Sequence, residues 1–217
     1  MTSFLLKLLA IASMFIDHVG VIFFPDEIFF RMVGRIAFPI FAWQITVGYK
    51  NSTNIKNYFL RLLFFALICQ VPFSIAFQTL SLNIFFTLLM GLLSIKFYNH
   101  AKNKYLGFLF SMFMIMLGQA IDVDYGAYGV AVIFLLHVFQ NKRIWLVASF
   151  AVITLIFSAV YFVPVQIFSL LALLPIFIYN GRQGPRFKYL FYIFYPGHLL
   201  LLYLLKLIID PSANIIR

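Results

Sequence analysis

The sequence predicts an all-α fold, a polytopic bundle of transmembrane helices that forms one integral-membrane domain over residues 1–217. Hydrophobic residues make up 64% of the chain and charged residues 10%, whereas about 25% of residues are charged in a typical soluble domain. Apolar runs recur along the whole chain, with only short polar breaks between them. A soluble or disordered chain is therefore excluded, and the single cysteine, Cys69, excludes a disulfide scaffold and a CxxC metal site.

Nine apolar runs predict nine membrane spans. A helix needs about 20 apolar residues, with a range of roughly 17–25, to cross the hydrocarbon core of a bilayer. The predicted spans are 4–24, 29–49, 58–78, 82–98, 105–121, 125–139, 144–162, 165–179 and 187–208. The sixth and eighth runs fall short of the required length, so a bundle of eight spans is the alternative.

The charges of the polar breaks alternate along the chain, and this alternation predicts the orientation in the membrane. The basic breaks contain Lys50, Lys56, Lys96, Lys102, Lys104, Lys142, Arg143, Arg182, Arg186 and Lys188. The intervening breaks are acidic or uncharged, and their acids are Asp26, Glu27, Asp122 and Asp124. Since Lys and Arg are enriched on the cytoplasmic side of membrane proteins, the basic breaks and the N-terminus are predicted to be cytoplasmic. The net charge of +10 has the same explanation, and no nucleic-acid partner is expected.

The first two spans carry ionisable side chains, which cost roughly 2.5–3.5 kcal/mol each in a membrane and mark function by default. Asp17 and His18 are adjacent in the first span, so they point about 100° apart and reach different neighbours. Arg31 and Arg35 share one face of the second span. Since a short break joins the two spans, they pack as antiparallel neighbours, and Asp17 is expected to meet Arg35. The alternative is a buried ion pair that specifies packing without chemistry.

Later spans place further polar residues at the same depth. The candidate substrate-binding residues are Asn83, Thr87, Asp124, Tyr125 and His198. Pro196 and Gly197 precede His198 and interrupt the helix, which frees carbonyl groups that must face protein or water. The alternatives are a packing role for His198 and a solvated loop position for Asp124.

The combination of residues is typical of proton-transfer chemistry. Histidine is the common general base near neutral pH, a carboxylate orients it, and an arginine stabilises a developing oxyanion. We therefore expect His18 to face a polar pocket walled by the guanidinium groups of Arg31 and Arg35. Motifs of nucleotide hydrolases, zinc proteases and serine hydrolases are absent from the sequence, and no metal is expected. Direct acyl transfer fits, as do a proton- or anion-coupled transporter or flippase and a non-catalytic scaffold, although no internal repeat typical of transporters is present.

Five stretches carry a resemblance to a known family. Two are Lys7–Ala12 running into Met14–Gly20, with its IDHVG sequence, and Arg31–Ala42, with its RMVGRIAFPIFA sequence. The others are 58–72, 82–87 and 124–130. Together these stretches resemble the TraX family of membrane proteins, closely over the first 130 residues and loosely over the C-terminal third.

The resemblance implies a multi-pass protein of the bacterial cytoplasmic membrane. The name-giving TraX acetylates the N-terminus of pilin during conjugation, and the family is similar to integral-membrane acyltransferases that use cytoplasmic acyl-CoA. The resemblance therefore implies acetyl-CoA as the acyl donor. It also implies that His18 is the intramembrane histidine, with Asp17, Arg31 and Arg35 beside it. The acceptor does not transfer with the family name, and a pilin N-terminus, an envelope glycan and a lipid-linked polymer stay open.

The charge pattern is compatible with such a donor, because CoA phosphates bind cations. The candidate cofactor-binding residues at the predicted inner face are Lys50, Lys56, Arg61, Arg182, Arg186 and Lys188. The alternative is that these cations only set the topology. The expected partners are thus the lipid bilayer, acyl-CoA and an unidentified acceptor.

Overall fold

The structure is a computed structural model in which residues 1–185 and 187–209 are described, residues 188–191 by their backbone alone. Helices dominate these residues, and the predicted all-α bundle is confirmed. The elements are α1 (Ser3–Phe23), α2 (Ile28–Gly34), α3 (Ala37–Asn51), α4 (Ile55–Phe77), α5 (Ile84–His100), α6 (Lys104–Ala120), α7 (Gly126–Val138), α8 (Arg143–Val160), a 3-10 helix (Pro164–Ala172), α9 (Leu173–Ile178) and α10 (Lys188–Ile209).

Five segments of the described chain are long and apolar enough to cross a membrane. These segments are Ser3–Phe23, Ile28–Asn51, Ile55–Phe77, Arg143–Val160 and Tyr192–Ile209. The other apolar helical segments are shorter and cover Ile84–His100, Lys104–Ala120, Gly126–Val138 and Pro164–Ile178. Every predicted run thus coincides with a helical segment, while the choice between nine and eight spans stays a prediction.

Two predicted runs are not single α-helices. The second run is interrupted between α2 and α3, at Arg35 and Ile36. Pro39 in the first turn of α3 has no N–H for the carbonyl group of Arg35, four residues earlier, so a regular helix cannot continue through this point. The eighth run begins as a 3-10 helix at Pro164 and becomes α-helical only at Leu173. The interruption predicted at Pro196 and Gly197 is wrong, because α10 continues through both residues.

The helix ends that carry basic residues lie together at one end of the bundle. Tyr49 in α3 contacts His100 in α5, with 3.3 Å between Oη and Nδ1. Asn99 in α5 contacts His137 in α7, with 2.9 Å between Nδ2 and Nε2. We call this the basic end, and its exposed cations are Lys50, Lys56, Arg61, Lys96, Lys102, Lys104, Lys142, Arg143 and Arg182.

The N-terminus belongs to the same end. The ammonium group of Met1 donates to the carbonyl group of Ile178 at 2.8 Å, and the Ser3 N–H donates to the carbonyl group of Arg182 at 2.9 Å. The guanidinium group of Arg143 lies 5.4 Å from the centroid of the Phe177 ring. The charge alternation of the sequence therefore becomes a separation of charge between two ends of the bundle.

The opposite end carries the acids. Ser81 donates a hydrogen bond of 2.6 Å to the carboxylate of Asp122, and Leu82 and Val123 form an isolated parallel bridge between the α4–α5 and α6–α7 connections. We call this the acidic end, with Asp26, Glu27, Asp122 and Asp124 as its acids. Which end faces the cytoplasm stays a prediction.

Large apolar side chains are exposed around the perimeter of the bundle. Examples are Phe113 on α6, Ile156 on α8 and Leu204 on α10, which are 55%, 53% and 55% exposed. In water such a surface would drive aggregation, whereas lipid is the solvent that it matches. The helices thus have the pattern of a multi-pass membrane protein.

Candidate functional site

The carboxylate of Asp17 binds two guanidinium groups in the interior of the bundle. Its Oδ2 atom lies 3.0 Å from Nη1 of Arg31, and its Oδ1 atom lies 3.1 Å from Nη2 of Arg35. The contact expected between Asp17 and Arg35 is present, and Arg31 shares the same carboxylate. The side chain of Arg35 is 7% exposed and that of Arg31 is 34% exposed. The cluster therefore contains one buried and one accessible cation.

The local sequence explains how α1 and α2 come so close. The Oγ atom of Ser13 donates to the carbonyl group of Val33 at 2.6 Å, so that the last turn of α2 lies against α1. A Cβ atom built on Gly34 would overlap the side chain of Asp17. Glycine at this position permits the approach that brings both guanidinium groups to the carboxylate.

A buried polar network extends from Arg35 to the helices behind it. Nη1 of Arg35 donates to Oε1 of Gln166 at 3.2 Å, and Nε2 of Gln166 donates to the Tyr128 hydroxyl at 3.1 Å. That hydroxyl also lies 3.1 Å from the Thr154 hydroxyl and 3.3 Å from the Ser169 hydroxyl. These supports were not identified from the sequence. The signal for Gln166 was an amide in an otherwise apolar run, and the signal for Tyr128 was its place in the 124–130 motif.

His18 is paired with His198. Nδ1 of His18 lies 2.7 Å from Nε2 of His198, and Nδ1 of His198 lies 2.6 Å from the carbonyl oxygen of Phe194. The Phe77 ring packs edge-on against His18, with 5.0 Å between ring centroids. The pocket of guanidinium groups expected around His18 stays a prediction. Both guanidinium groups bind the carboxylate of Asp17, which points away from His18 because adjacent residues of a helix point in different directions.

Asn83 and Thr87 lie beneath the α6–α7 connection and are completely buried. Asn83 caps α5 by accepting from the Phe85 N–H at 3.0 Å, and its amide donates to the carbonyl group of Ala66 at 2.7 Å. Thr87 donates to the backbone carbonyl group of Asp124. Thr87 therefore holds the α6–α7 connection in place, whereas Asn83 joins α5 to α4. Their predicted substrate contacts stay a prediction.

Asp124 and Tyr125 lie between the acidic end and the arginine cluster, since Asp124 bonds to the α4–α5 connection and Tyr125 lies beside Arg35. The Asp124 N–H donates to the carbonyl group of Leu82 at 2.7 Å, and Tyr125 has a left-handed backbone with φ of 64°. The guanidinium carbon of Arg35 lies 5.8 Å from the centroid of the Tyr125 ring. Burial raises the pKa of the Asp124 carboxyl to about 6, although the Arg35 charge acts in the opposite direction.

A cavity of about 340 Å³ opens beside this connection. Its lining includes Ser81, Gln119, Asp122, Asp124, Tyr125 and Tyr161. It lies at the acidic end, and one of its wall residues, Tyr125, also lies beside Arg35. The cavity combines the carboxyl groups of Asp122 and Asp124 with aromatic walls that include Tyr125 and Tyr161.

The predicted phosphate-binding residues lie away from this cluster. Lys50, Lys56, Arg61 and Arg182 are exposed toward the basic end. The guanidinium carbon of Arg61 lies 5.2 Å from the Tyr58 ring and 6.0 Å from the Tyr192 ring. Of the remaining two predicted residues, Arg186 and the side chain of Lys188 lie outside the described residues. Within the described part of the chain, no cluster of three or more His, Cys, Asp or Glu residues could hold a metal ion.

Comparisons with known proteins agree with these features. The model of the family described as "TraX protein" matches residues 3–206. The chain is 29% identical to the "Probable fimbrial assembly protein FimC, serogroup H1" of Dichelobacter nodosus, over 93% of this chain and 94% of the relative. It is 31% identical to the uncharacterized protein RP591 of Rickettsia prowazekii, over 64% of this chain and 56% of that relative.

No solved structure matches the chain. The family model, by contrast, includes both helices of the arginine cluster and the part of α10 that carries His198. The resemblance seen in the sequence motifs is therefore confirmed, and the chain belongs to the TraX family.

Proposed function

We propose that this protein is an acyltransferase of the bacterial cytoplasmic membrane that transfers an acetyl group from acetyl-CoA to a hydroxyl or amine acceptor. The observation that carries the proposal is the imidazole of His18, which is paired with a second imidazole beside a carboxylate that holds two guanidinium groups. Membership of the TraX family and the similarity to a protein named for fimbrial assembly support a role connected with pilins.

In the proposed reaction His18 is the general base. It removes a proton from the acceptor, and the acceptor attacks the thioester carbonyl carbon of acetyl-CoA. The tetrahedral intermediate then breaks its carbon–sulfur bond, and the CoA thiolate leaves and takes up the proton. Positioned proton transfer of this kind contributes about 10²- to 10⁴-fold to a rate.

Arg31 is the proposed stabiliser of the oxyanion. Its side chain keeps 34% exposure while it binds Asp17, whereas Arg35 is held by both Asp17 and Gln166 and is 7% exposed. The more accessible guanidinium group can therefore reach a substrate, and the more buried one holds the carboxylate in place. Electrostatic stabilisation of an oxyanion is usually a large part of the catalysis of acyl transfer.

In the proposal acetyl-CoA enters at the basic end. Since acetyl-CoA is cytoplasmic, the basic end then faces the cytoplasm. Lys7 and His18 are eleven residues apart in α1, so they share one face and are separated by about 16 Å along the helix axis. Lys7 lies within electrostatic reach of Arg61. In the proposal the CoA phosphates bind near these cations, together with the exposed Lys50, Lys56 and Arg182. The thin pantetheine arm then extends along this face toward His18.

The cavity at the acidic end is the proposed acceptor site. Its wall includes Asp124 and Tyr125, and the Tyr125 ring lies 5.8 Å from the Arg35 guanidinium carbon. Donor and acceptor then reach the histidine from opposite ends of the bundle. Such an arrangement allows a cytoplasmic acyl group to modify an acceptor on the outer side of the membrane.

The test is transfer of radiolabel from acetyl-CoA by the purified protein in liposomes. The acceptors offered are a peptide with a free N-terminus and an extract of cell-envelope glycans. The proposal expects label on one acceptor, with a loss of at least about 100-fold in His18→Ala. The matched control is His100→Ala, because His100 is exposed at the basic end and should retain activity.

Other outcomes would contradict the proposal. Transfer that is unchanged in His18→Ala would remove the histidine from the mechanism. Proton uptake by the liposomes without label transfer would favour a transporter, and the absence of both activities in a folded protein would favour a scaffold.

A further inference from the structure

We propose that His198 is a positioning residue that shares a proton with His18, so that Nε2 of His18 is the atom that acts as base. The role of Nε2 as the base rests on the proposed acyl transfer. The tautomer of His18, meaning which of its ring nitrogens carries the hydrogen, can be tested without any reaction.

The two imidazole rings meet edge to edge. Their planes differ by 8° and their centroids are 5.0 Å apart. Face-to-face stacking would not bring ring nitrogens to 2.7 Å, the distance between Nδ1 of His18 and Nε2 of His198. The two nitrogens therefore lie between coplanar rings in a nearly linear hydrogen bond, which is the geometry for direct proton transfer.

The Phe194 carbonyl group defines the direction of this hydrogen bond. A carbonyl oxygen only accepts, so Nδ1 of His198, which lies 2.6 Å from it, carries a hydrogen. In a neutral His198 the Nε2 atom then has a lone pair and accepts from Nδ1 of His18. The remaining nitrogen of His18, Nε2, is left with its own lone pair and is the basic atom of the pair.

The Phe194 carbonyl group favours movement of the proton toward His198. It accepts from Nδ1 of His198 at 2.6 Å, so its oxygen stabilises a positive charge on that ring. The other walls of the pair are aromatic, with Phe77 against His18 and the Phe194 ring 4.6 Å from His198 between centroids.

The proton transfer balances over the two rings. Nε2 of His18 takes a proton from the acceptor while Nδ1 of His18 gives its proton to Nε2 of His198. The positive charge then resides on His198, and His18 stays neutral. When the CoA thiolate leaves, both protons move back and the thiol is formed.

The first test is the tautomer of His18, measured by nitrogen-15 NMR of histidine-labelled protein in detergent without substrate. The chain has four histidines, so single substitutions assign the signals. We expect His18 with hydrogen on Nδ1 and a bare Nε2, and His198→Ala should remove this preference. A His18 ring with hydrogen on Nε2 in the neutral protein would overturn the proposal.

The second test compares His198→Gln with His137→Gln, because His137 is the other buried histidine and lies at the basic end. In His198→Gln the amide oxygen of the introduced side chain can accept from His18 but cannot take up a proton. We expect kcat to fall about 10- to 100-fold, by analogy with the loss of the hydrogen-bond partner of a metal-bound histidine. We expect KM to be unchanged and the pH–rate profile to shift. His137→Gln should keep the wild-type profile.

The two tests distinguish failure of the proposed histidine pair from failure of the proposed acyl transfer. Loss of kcat in His198→Gln without a change in the pH profile would mean that His198 only packs, and would overturn the proposal. The expected tautomer in a protein that transfers no acetyl group would support the pair and contradict the proposed function. Size-exclusion chromatography and melting temperature verify that each variant is folded.

Discussion

Gly34 lies directly against Asp17, and any side chain at this position would occupy the volume of the carboxylate. The contact joins α1 to the end of α2 and explains how one acid reaches two arginines of the following segment. Gly34 thus permits the close approach of the two helices, and Asp17 uses that approach to bind both guanidinium groups.

Gly34→Ala should destabilise the protein by about 1–3 kcal/mol, which is the usual cost of forcing extra volume into a packed interior. It should also displace Asp17 and lower acyl transfer. Thermal unfolding in detergent measures the first effect. The matched control is Gly197→Ala, because a Cβ atom there would meet no atom within 4 Å. Equal melting temperatures for the two variants would contradict the close approach.

Asp17→Asn should destabilise the protein by about 3–5 kcal/mol, because it leaves buried charge without its partner. Both guanidinium groups lose the same carboxylate, and Arg35 is 7% exposed. The double variant Asp17→Asn, Arg35→Gln should recover part of the stability. Melting temperatures of the single and double variants test this coupling, and strictly additive losses would argue against it.

Arg31→Lys and Arg35→Lys should behave differently. Lysine keeps the charge and loses the planar fork. Arg35 uses that fork to bind Asp17 and Gln166 together, so Arg35→Lys should lower the melting temperature. Arg31→Lys should mainly lower kcat, since its side chain is partly exposed. Equal changes in melting temperature and kcat in the two variants would contradict the proposed roles, in which Arg35 holds the carboxylate and Arg31 stabilises the oxyanion.

Asp124 should make stability depend on pH. Its pKa of about 6 in the folded protein lies above the ordinary value of 3.8. The unfolded state therefore releases its proton first, and stability should fall as the pH rises from about 4 through about 6. Asp124→Asn should lack this component, whereas Asp26→Asn, at an exposed position, should retain it. Melting temperatures between pH 4 and 7 provide the comparison.

The orientation can be measured by cysteine labelling, because the chain has one cysteine and it is 0% exposed. A membrane-impermeant maleimide added to intact cells should label Asp26→Cys and should not label Lys102→Cys. Both variants should react after the cells are opened. Labelling of only the Lys102 position in intact cells would place the basic end and the N-terminus outside.

Much of the fold was predictable because a lipid solvent imposes local rules on the chain. Each helical segment must be apolar over a minimum length, and charge must collect in the breaks. These rules act along the sequence, so the runs, the alternation of charge and the antiparallel pairing of the first two spans followed from spacing alone. The meeting of Asp17 with Arg35 was predictable for the same reason, since the two residues are 18 positions apart.

The partners of the catalytic candidate depended on packing between distant segments. His18 and His198 are 180 positions apart, and Gln166 reaches Arg35 across 131 positions. No periodicity specifies which helix lies beside which in a bundle, because many arrangements bury similar apolar area. The tertiary arrangement therefore decided which side chains lie against His18 and which amide supports Arg35. The sequence placed costly polar groups at one depth, and the packing of α10 against α1 selected the second imidazole as the neighbour of the first.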